Sequence, residues 1–122
     1  MSTLEVSNLN DGTTTLATTY VTNGSAKAWA NVNQTGTAAL RDSLNISSIT
    51  DSGNGSTRHN ISSAMNNELY SVLATCTVQT TYDDNACAQE VTVSTYDIYC
   101  SNASNTNTDN AYAQTAVFGD LA

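Results

Sequence analysis

An all-β fold, an antiparallel β-sandwich or jelly-roll-like module, is what this sequence of 122 residues predicts. Three observations carry that expectation. Ser, Thr and Asn together make up about 40 % of the chain, and Thr favours strands while Asn and Ser favour turns. No stretch repeats apolar residues at helical spacing, whereas several alternate with a period of two. Those alternating runs recur at roughly 8–15-residue intervals with turn signals between them, the cadence of a sandwich. A chain this short forms one domain, or one small domain plus an extended piece.

Residues 1–23 read as an extended N-terminal arm. Leu4 and Val6 alternate with polar positions, Asp11-Gly12 marks a turn, and Leu16 and Tyr20 sit in a Thr-rich run suited to an edge strand. Residues 24–122 form the expected β-sandwich domain. In Ala26–Asn33 the alternation is strict: Ala28, Ala30 and Val32 share one face, and Lys27, Trp29, Asn31 and Asn33 the other. Gln34–Gly36 turns the chain into a strand expected over Ala39–Ile49, where a bulge near Ser47-Ser48 reconciles Leu40, Leu44 and Ile46 with Ile49. Asp51–Gly55 makes a hairpin turn into Thr57–Ser62, and Ser63–Glu68 has room for one helical turn.

Tyr70–Gln79 is the clearest strand, with Val72, Ala74, Cys76 and Val78 on one face. Thr80–Ala88 reads as a polar loop and Glu90–Cys100 as a strand whose Tyr96, Ile98 and Cys100 share a face. Asn102–Asn110 is a loop, Ser101–Asn110 having the composition of a disordered segment. Ala111–Phe118 closes the domain.

Charge excludes several function classes. Three basic residues against eleven acids give a formal charge of −8, which repels phosphate backbones and anionic lipid heads, so neither nucleic acid nor a membrane surface is an expected partner. No apolar stretch is long enough to span a bilayer, and the opening residues lack the basic start and hydrophobic run of a secretory signal. An intracellular product follows, in which Cys76, Cys87 and Cys100 are expected as buried or free thiols. The lack of proline leaves edge strands unblunted, which suits edges covered by a partner chain.

The chain offers little for catalysis. His59 stands in a strand position that suits an apolar residue, with no Ser or Cys elbow beside it, and reads as a buried or interface histidine. The cysteines and the lone histidine show no metal-ligand spacing. Asp51–Gly55 lacks the distant bidentate Glu of a calcium loop, and Asp83-Asp84-Asn85 reads as a solvated loop tip. No catalytic, cofactor-binding or metal residue is therefore assigned, and the protein is expected not to be an enzyme. Polar, Tyr-bearing loops offer hydrogen bonds and stacking area, the chemistry of surface recognition.

From Gly24-Ser25-Ala26-Lys27-Ala28-Trp29 the chain reads GSAKAWANVNQTGTAALRDSLNISSITDSGNGSTRHNISSAM. That run resembles a family of small fibre-like virion proteins and tail-fibre tip modules of tailed bacteriophages, many of them marine. Its pattern is GSAKAWVNFNGTGT followed by RDSFNVSSITDNGTGDYTVNFSTAM. The likeness extends from Gly24 to Tyr70-Ser71-Val72 and returns at Val117-Phe118-Gly119-Asp120. The opening Met1–Val6 also looks like the start of short members. Ala30, Val32 and His59 depart from the family pattern, and Leu73–Ala113 matches no motif of it.

The resemblance implies a β-rich, homotrimeric module assembled in the host cytoplasm and located in the virion. Trp29, Lys27 and His59 are its expected trimer interface. The resemblance transfers no site to Leu73–Ala113; it is the polar loop composition that makes Tyr82, Asp83, Asp84, Asn85, Asn102, Asn105 and Asn107 the expected receptor-facing loop residues. The module's expected partners are itself, other virion proteins of tail or capsid, and a host surface glycan. The expected function is that of a short tail-fibre-like unit in host recognition, the alternative a capsid decoration protein or head fibre anchored by its N-terminal arm.

Overall fold

The computed structural model describes residues 2–77 and 85–122. Near the start, β1 (Asn8–Asn10) and β2 (Thr15–Ala17) form a two-stranded hairpin, followed by a seven-residue helix α1 (Thr18–Gly24) with no buried residue. Two four-stranded antiparallel sheets follow. The first contains β3 (Ala28–Asn33), β4 (Ala39–Leu44), β7 (Ser71–Thr77) and β10 (Tyr112–Phe118) in the order β4-β3-β10-β7. The second contains β5 (Ile46–Gly53), β6 (Ser56–Ile61), β8 (Asn85–Gln89) and β9 (Thr95–Ser101) in the order β5-β6-β9-β8. The expected antiparallel, all-β, sandwich-like character is what the described residues adopt.

Alternation decides what faces inward. From the first sheet Ala28, Ala30, Val32, Ala113, Thr115 and Val117 are buried, every second residue of β3 and β10. From the second come Thr57, His59, Ile61, Tyr96, Ile98 and Cys100, with Ile46 beside them. Small side chains of one sheet leave room for large ones of the other, as close packing requires. The Tyr96 hydroxyl shares a 2.7 Å hydrogen bond with that of Thr115 across the gap. Gln34 adds a second polar bridge: its Nε2 donates to Thr57 Oγ1 at 2.9 Å, and its Oε1 accepts from Asn110 N at 3.1 Å.

Several expectations change. Ala39–Ile49 is two strands in different sheets, because Asn45 takes a left-handed backbone (φ 57°) and its side chain ties Lys27 O to Ser63. The bulge is present, between Ile46 and Ser48, and turns both Ile46 and Ile49 inward. Residues 18–24, which begin within the run expected as an edge strand, are helical. Ser63–Glu68 forms no helix: Met65 bridges Leu121, and the segment is pinned to Val93 and Asp120.

Asn85–Gln89, expected up to Ala88 as part of a loop, is β8, because Ala86 and Ala88 are small enough to turn inward at the sheet edge. Residues 90–94, expected as strand, are the β8–β9 turn. Glu90 has φ 48° there, and the Thr92 hydroxyl accepts from the amides of Ser94 and Thr95. Val78 and Gln79 lie outside the described residues.

Candidate functional site

The register gives the sandwich two distinct ends. Val117 of β10 pairs with Ala28 and Ala113 with Val32, so residues 24–27 enter beside the end of β10. Lys27 N donates to Val117 O at 2.8 Å there, and the 90–94 turn, Ser63 and Asn45 gather at the same end. At the opposite end lie the β5–β6 turn, the start of β8, the end of β9 and the loop 102–110.

That loop is held by side chains. Asn102 Oδ1 accepts from Ser104 N and Thr106 N, both at 3.0 Å, while Asn105 takes a left-handed backbone (φ 57°). Asn54 Nδ2 donates to Asn107 O at 2.6 Å, and Asp109 Oδ1 accepts from Gly55 N at 2.7 Å. The segment composed like a disordered stretch is thus stapled to the β5–β6 turn. Gly55 is required in that staple: at φ 69° a Cβ would meet the Cys100 carbonyl and lie 2.6 Å from Thr108 N.

Between this loop and the outer surface of β8 and β9 runs a groove of about 210 Å³, lined by Asn85, Ala86, Cys87, Gln89, Tyr99, Ser101, Asn105 and Asn107. Alternation explains the lining, since Asn85, Cys87 and Gln89 face away from the core that Ala86 and Ala88 approach. Likewise Tyr99 points opposite to its buried neighbours Ile98 and Cys100. Tyr99 stands beside Ser56 in the adjoining strand, whose buried hydroxyl has no hydrogen-bond partner among the described residues.

Among the described residues, no charged side chain lines the groove. At its border Asp97, which pairs across with Gln89, is 2 % exposed beneath Arg58. Arg58 Nε meets Asp97 Oδ1 at 2.6 Å, and its Nη2 meets Asp97 Oδ2 at 2.8 Å and Glu90 Oε2 at 2.6 Å. This pairing raises the Arg58 pKa, chiefly through the hydrogen bond to Asp97.

The structure brings Asn85, Asn105 and Asn107 together around one groove. Asn102 shapes the loop instead, and Tyr82, Asp83 and Asp84 lie outside the described residues. Tyr99, Cys87 and Gln89 belong to the groove without having been assigned from sequence, although the inward pattern Tyr96, Ile98, Cys100 already places Tyr99 outward.

The residues expected at a trimer interface divide. Trp29 is half-buried on the outer face of the first sheet, in a cross-strand row with Leu44, Ala116 and Leu73. Lys27 is also half-exposed and reaches back to the carbonyls of Thr22 and Ser25. His59, read from sequence as a buried or interface histidine, is fully buried between the sheets. Its ring stacks on Tyr96 with centroids 4.7 Å apart and planes 11° from parallel. Its Nδ1 donates to the Thr57 carbonyl at 3.2 Å, which leaves Nε2 as an enclosed lone pair with no partner among the described residues. Burial pushes its pKa down to about 4, so the ring is neutral at ordinary pH.

Cys100 is buried, Cys76 half-buried with Sγ 3.0 Å from Asn85 O, and Cys87 exposed. No disulfide joins them among the described residues. No family model, curated protein or solved structure matches the chain.

Proposed function

We propose that this chain is a non-enzymatic structural protein of a tailed-phage virion, a short tail-fibre-like unit that meets a host-surface glycan through the groove around Tyr99. The observation that carries this reading is the separation of the two ends. Residues 2–24 enter the sandwich at one end, and the amide-lined groove lies at the other. A unit fixed to a particle through its first residues would hold such a groove outward. Asn and Tyr side chains offer paired donors and acceptors beside an aromatic surface, which suits hydroxyl-rich ligands. The likeness of Gly24–Val72 to phage fibre modules supports the same reading.

In this proposal the unit is a homotrimer, and the row Leu44–Trp29–Ala116–Leu73 supplies the contact between copies. Leu44 and Leu73 are 49 % and 59 % exposed, an apolar band that association would cover. Saturable binding of the purified trimer to host cells or their lipopolysaccharide is the expected result. Its absence with assembled protein refutes the recognition role.

A second reading, a capsid decoration protein or head fibre, draws on residues 2–24. Leu4 is 83 % and Tyr20 72 % exposed, and Val6, Leu9, Leu16 and Val21 are exposed as well. Such apolar surface suits docking on a protein shell. Deleting residues 2–24 is expected to abolish loading onto particles and leave the sandwich folded. Loading of the truncated chain onto virions would rule out anchoring through this segment.

A further inference from the structure

We infer that the Tyr99 groove is a subsite for one uncharged sugar unit, a neutral hexose or N-acetylhexosamine, and that it excludes acidic sugars. The inference rests on the glycan-recognition reading above and specifies which glycans it admits. Size is the first argument: about 210 Å³ is below the range typical of drug-sized ligand sites and suits a single ring.

The second argument is chemical. Four amide side chains, Asn85, Gln89, Asn105 and Asn107, line the groove with Ser101 and the Tyr99 ring. Each amide presents both a donor and an acceptor, matching the hydroxyls and acetamido groups of neutral sugars. The aromatic ring offers an apolar surface for a sugar's C–H face.

The third argument is the fate of every basic side chain. A carboxylated, sulfated or phosphorylated sugar needs a cation or a cluster of oriented donors. This chain has three Lys and Arg residues. Lys27 is bound to the carbonyls of Thr22 and Ser25 at the other end of the sandwich. Arg41 lies 4.2 Å from the centre of the Tyr112 ring and donates to Ala111 O. Arg58, the one near the groove, is engaged by two carboxylates, so the trio of Arg58, Asp97 and Glu90 carries a net negative charge. His59 is sealed in the core. An anionic ligand would therefore meet a negative border without a counter-charge, within a molecule of formal charge −8.

The exposed Cys87 thiol inside the groove gives the experiment its handle. Full-length protein labelled with ¹⁵N would be titrated, into the tens-of-millimolar range, with glucose, galactose, N-acetylglucosamine, glucuronate and N-acetylneuraminate. Shifts at Asn85, Gln89, Tyr99, Asn105 and Asn107 with at least one neutral sugar, and none with the two acids, are the expected result. Tyr99→Ala should weaken that binding about tenfold, while Tyr99→Phe, which keeps the ring, should weaken it far less. A maleimide adduct on Cys87 should abolish it with the amide spectrum otherwise preserved.

Shifts with the acidic sugars, shifts mapping elsewhere, or no shifts at all would each overturn the inference. The same adduct separates this failure from failure of the recognition reading. Host-cell binding that survives the adduct rejects the groove and leaves recognition standing. Unmodified, assembled protein that does not bind cells rejects recognition itself.

Discussion

The two sheets differ in opposite senses on their two faces. Inside, β3 and β10 contribute mostly alanine and valine, whereas β6 and β9 contribute His59, Ile61, Tyr96 and Ile98. Outside, the first sheet carries the apolar row Leu44–Trp29–Ala116–Leu73, and the second carries Arg58, Gln89, Tyr99 and Cys87. One sheet fills the core, and the other is shaped to receive it while keeping its larger apolar groups for its outer surface. Burial alone therefore does not rank residues by importance; the sheet a residue belongs to decides whether shrinking or enlarging it does the damage.

The largest expected effect tests the filling sheet. Ile98→Ala leaves a cavity at a fully buried position and should cost about 3–4 kcal/mol by denaturant unfolding. Leu73→Ala on the outer face of the other sheet should change monomer stability by no more than about 0.5 kcal/mol. Equal costs would mean that the outer row is packed in solution.

Acid should act through the same sheet. The folded pKa of His59, about 4, lies below its ordinary value of 6.5, so between those values the unfolded chain binds the extra proton. The stabilising contribution is complete above pH 6.5 and is lost as pH falls towards 4, by roughly 3 kcal/mol in total. Asp97 opposes the shift weakly and burial dominates it. His59→Leu should flatten the unfolding midpoint in that window; an unchanged slope would assign it to carboxylates.

On the receiving sheet the sign reverses. Ala30→Leu adds volume where Ala30 is 2 % exposed and should cost about 2 kcal/mol through overpacking. A neutral or stabilising result would reveal spare space beneath β3. A smaller loss than any of these core changes concerns the hydroxyl pair joining Tyr96 to Thr115. Tyr96→Phe should lose about 1 kcal/mol, read from the thermal midpoint.

Much of this architecture was legible wherever side chains of unlike polarity alternate. Ala28–Asn33, the β5–β6 hairpin, Ser71–Thr77 and Tyr112–Phe118 could be read from period-two patterns and glycine-bearing turns. What escaped were places where a single backbone torsion overrides the pattern. Asn45 and Glu90 bend the chain left-handed inside stretches whose apolar spacing continues smoothly, so one long strand was expected where there are two, and a strand where there is a turn. Strand β8 was hidden because its inward residues are only alanines. Helix α1 was hidden by threonines, whose propensity argues for strand. For the groove, composition pointed to Asn85, Asn105 and Asn107, but their convergence on Tyr99 depends on the register between β8 and β9, which no local pattern encodes.

The place of β10 has a consequence for how the molecule comes into being. It is the last of the strands along the chain, yet it lies in the interior of its sheet, between β3 and β7. Until synthesis has passed Phe118, β3 and β7 have no common neighbour, and each presents a bare row of amides and carbonyls. Gln34 likewise waits for Asn110, 76 residues further on. Closure is thus a late, long-range event, the slow kind for a chain to complete. A growing chain must carry two open strand margins until then, and chains halted before residue 112 are the ones expected to aggregate.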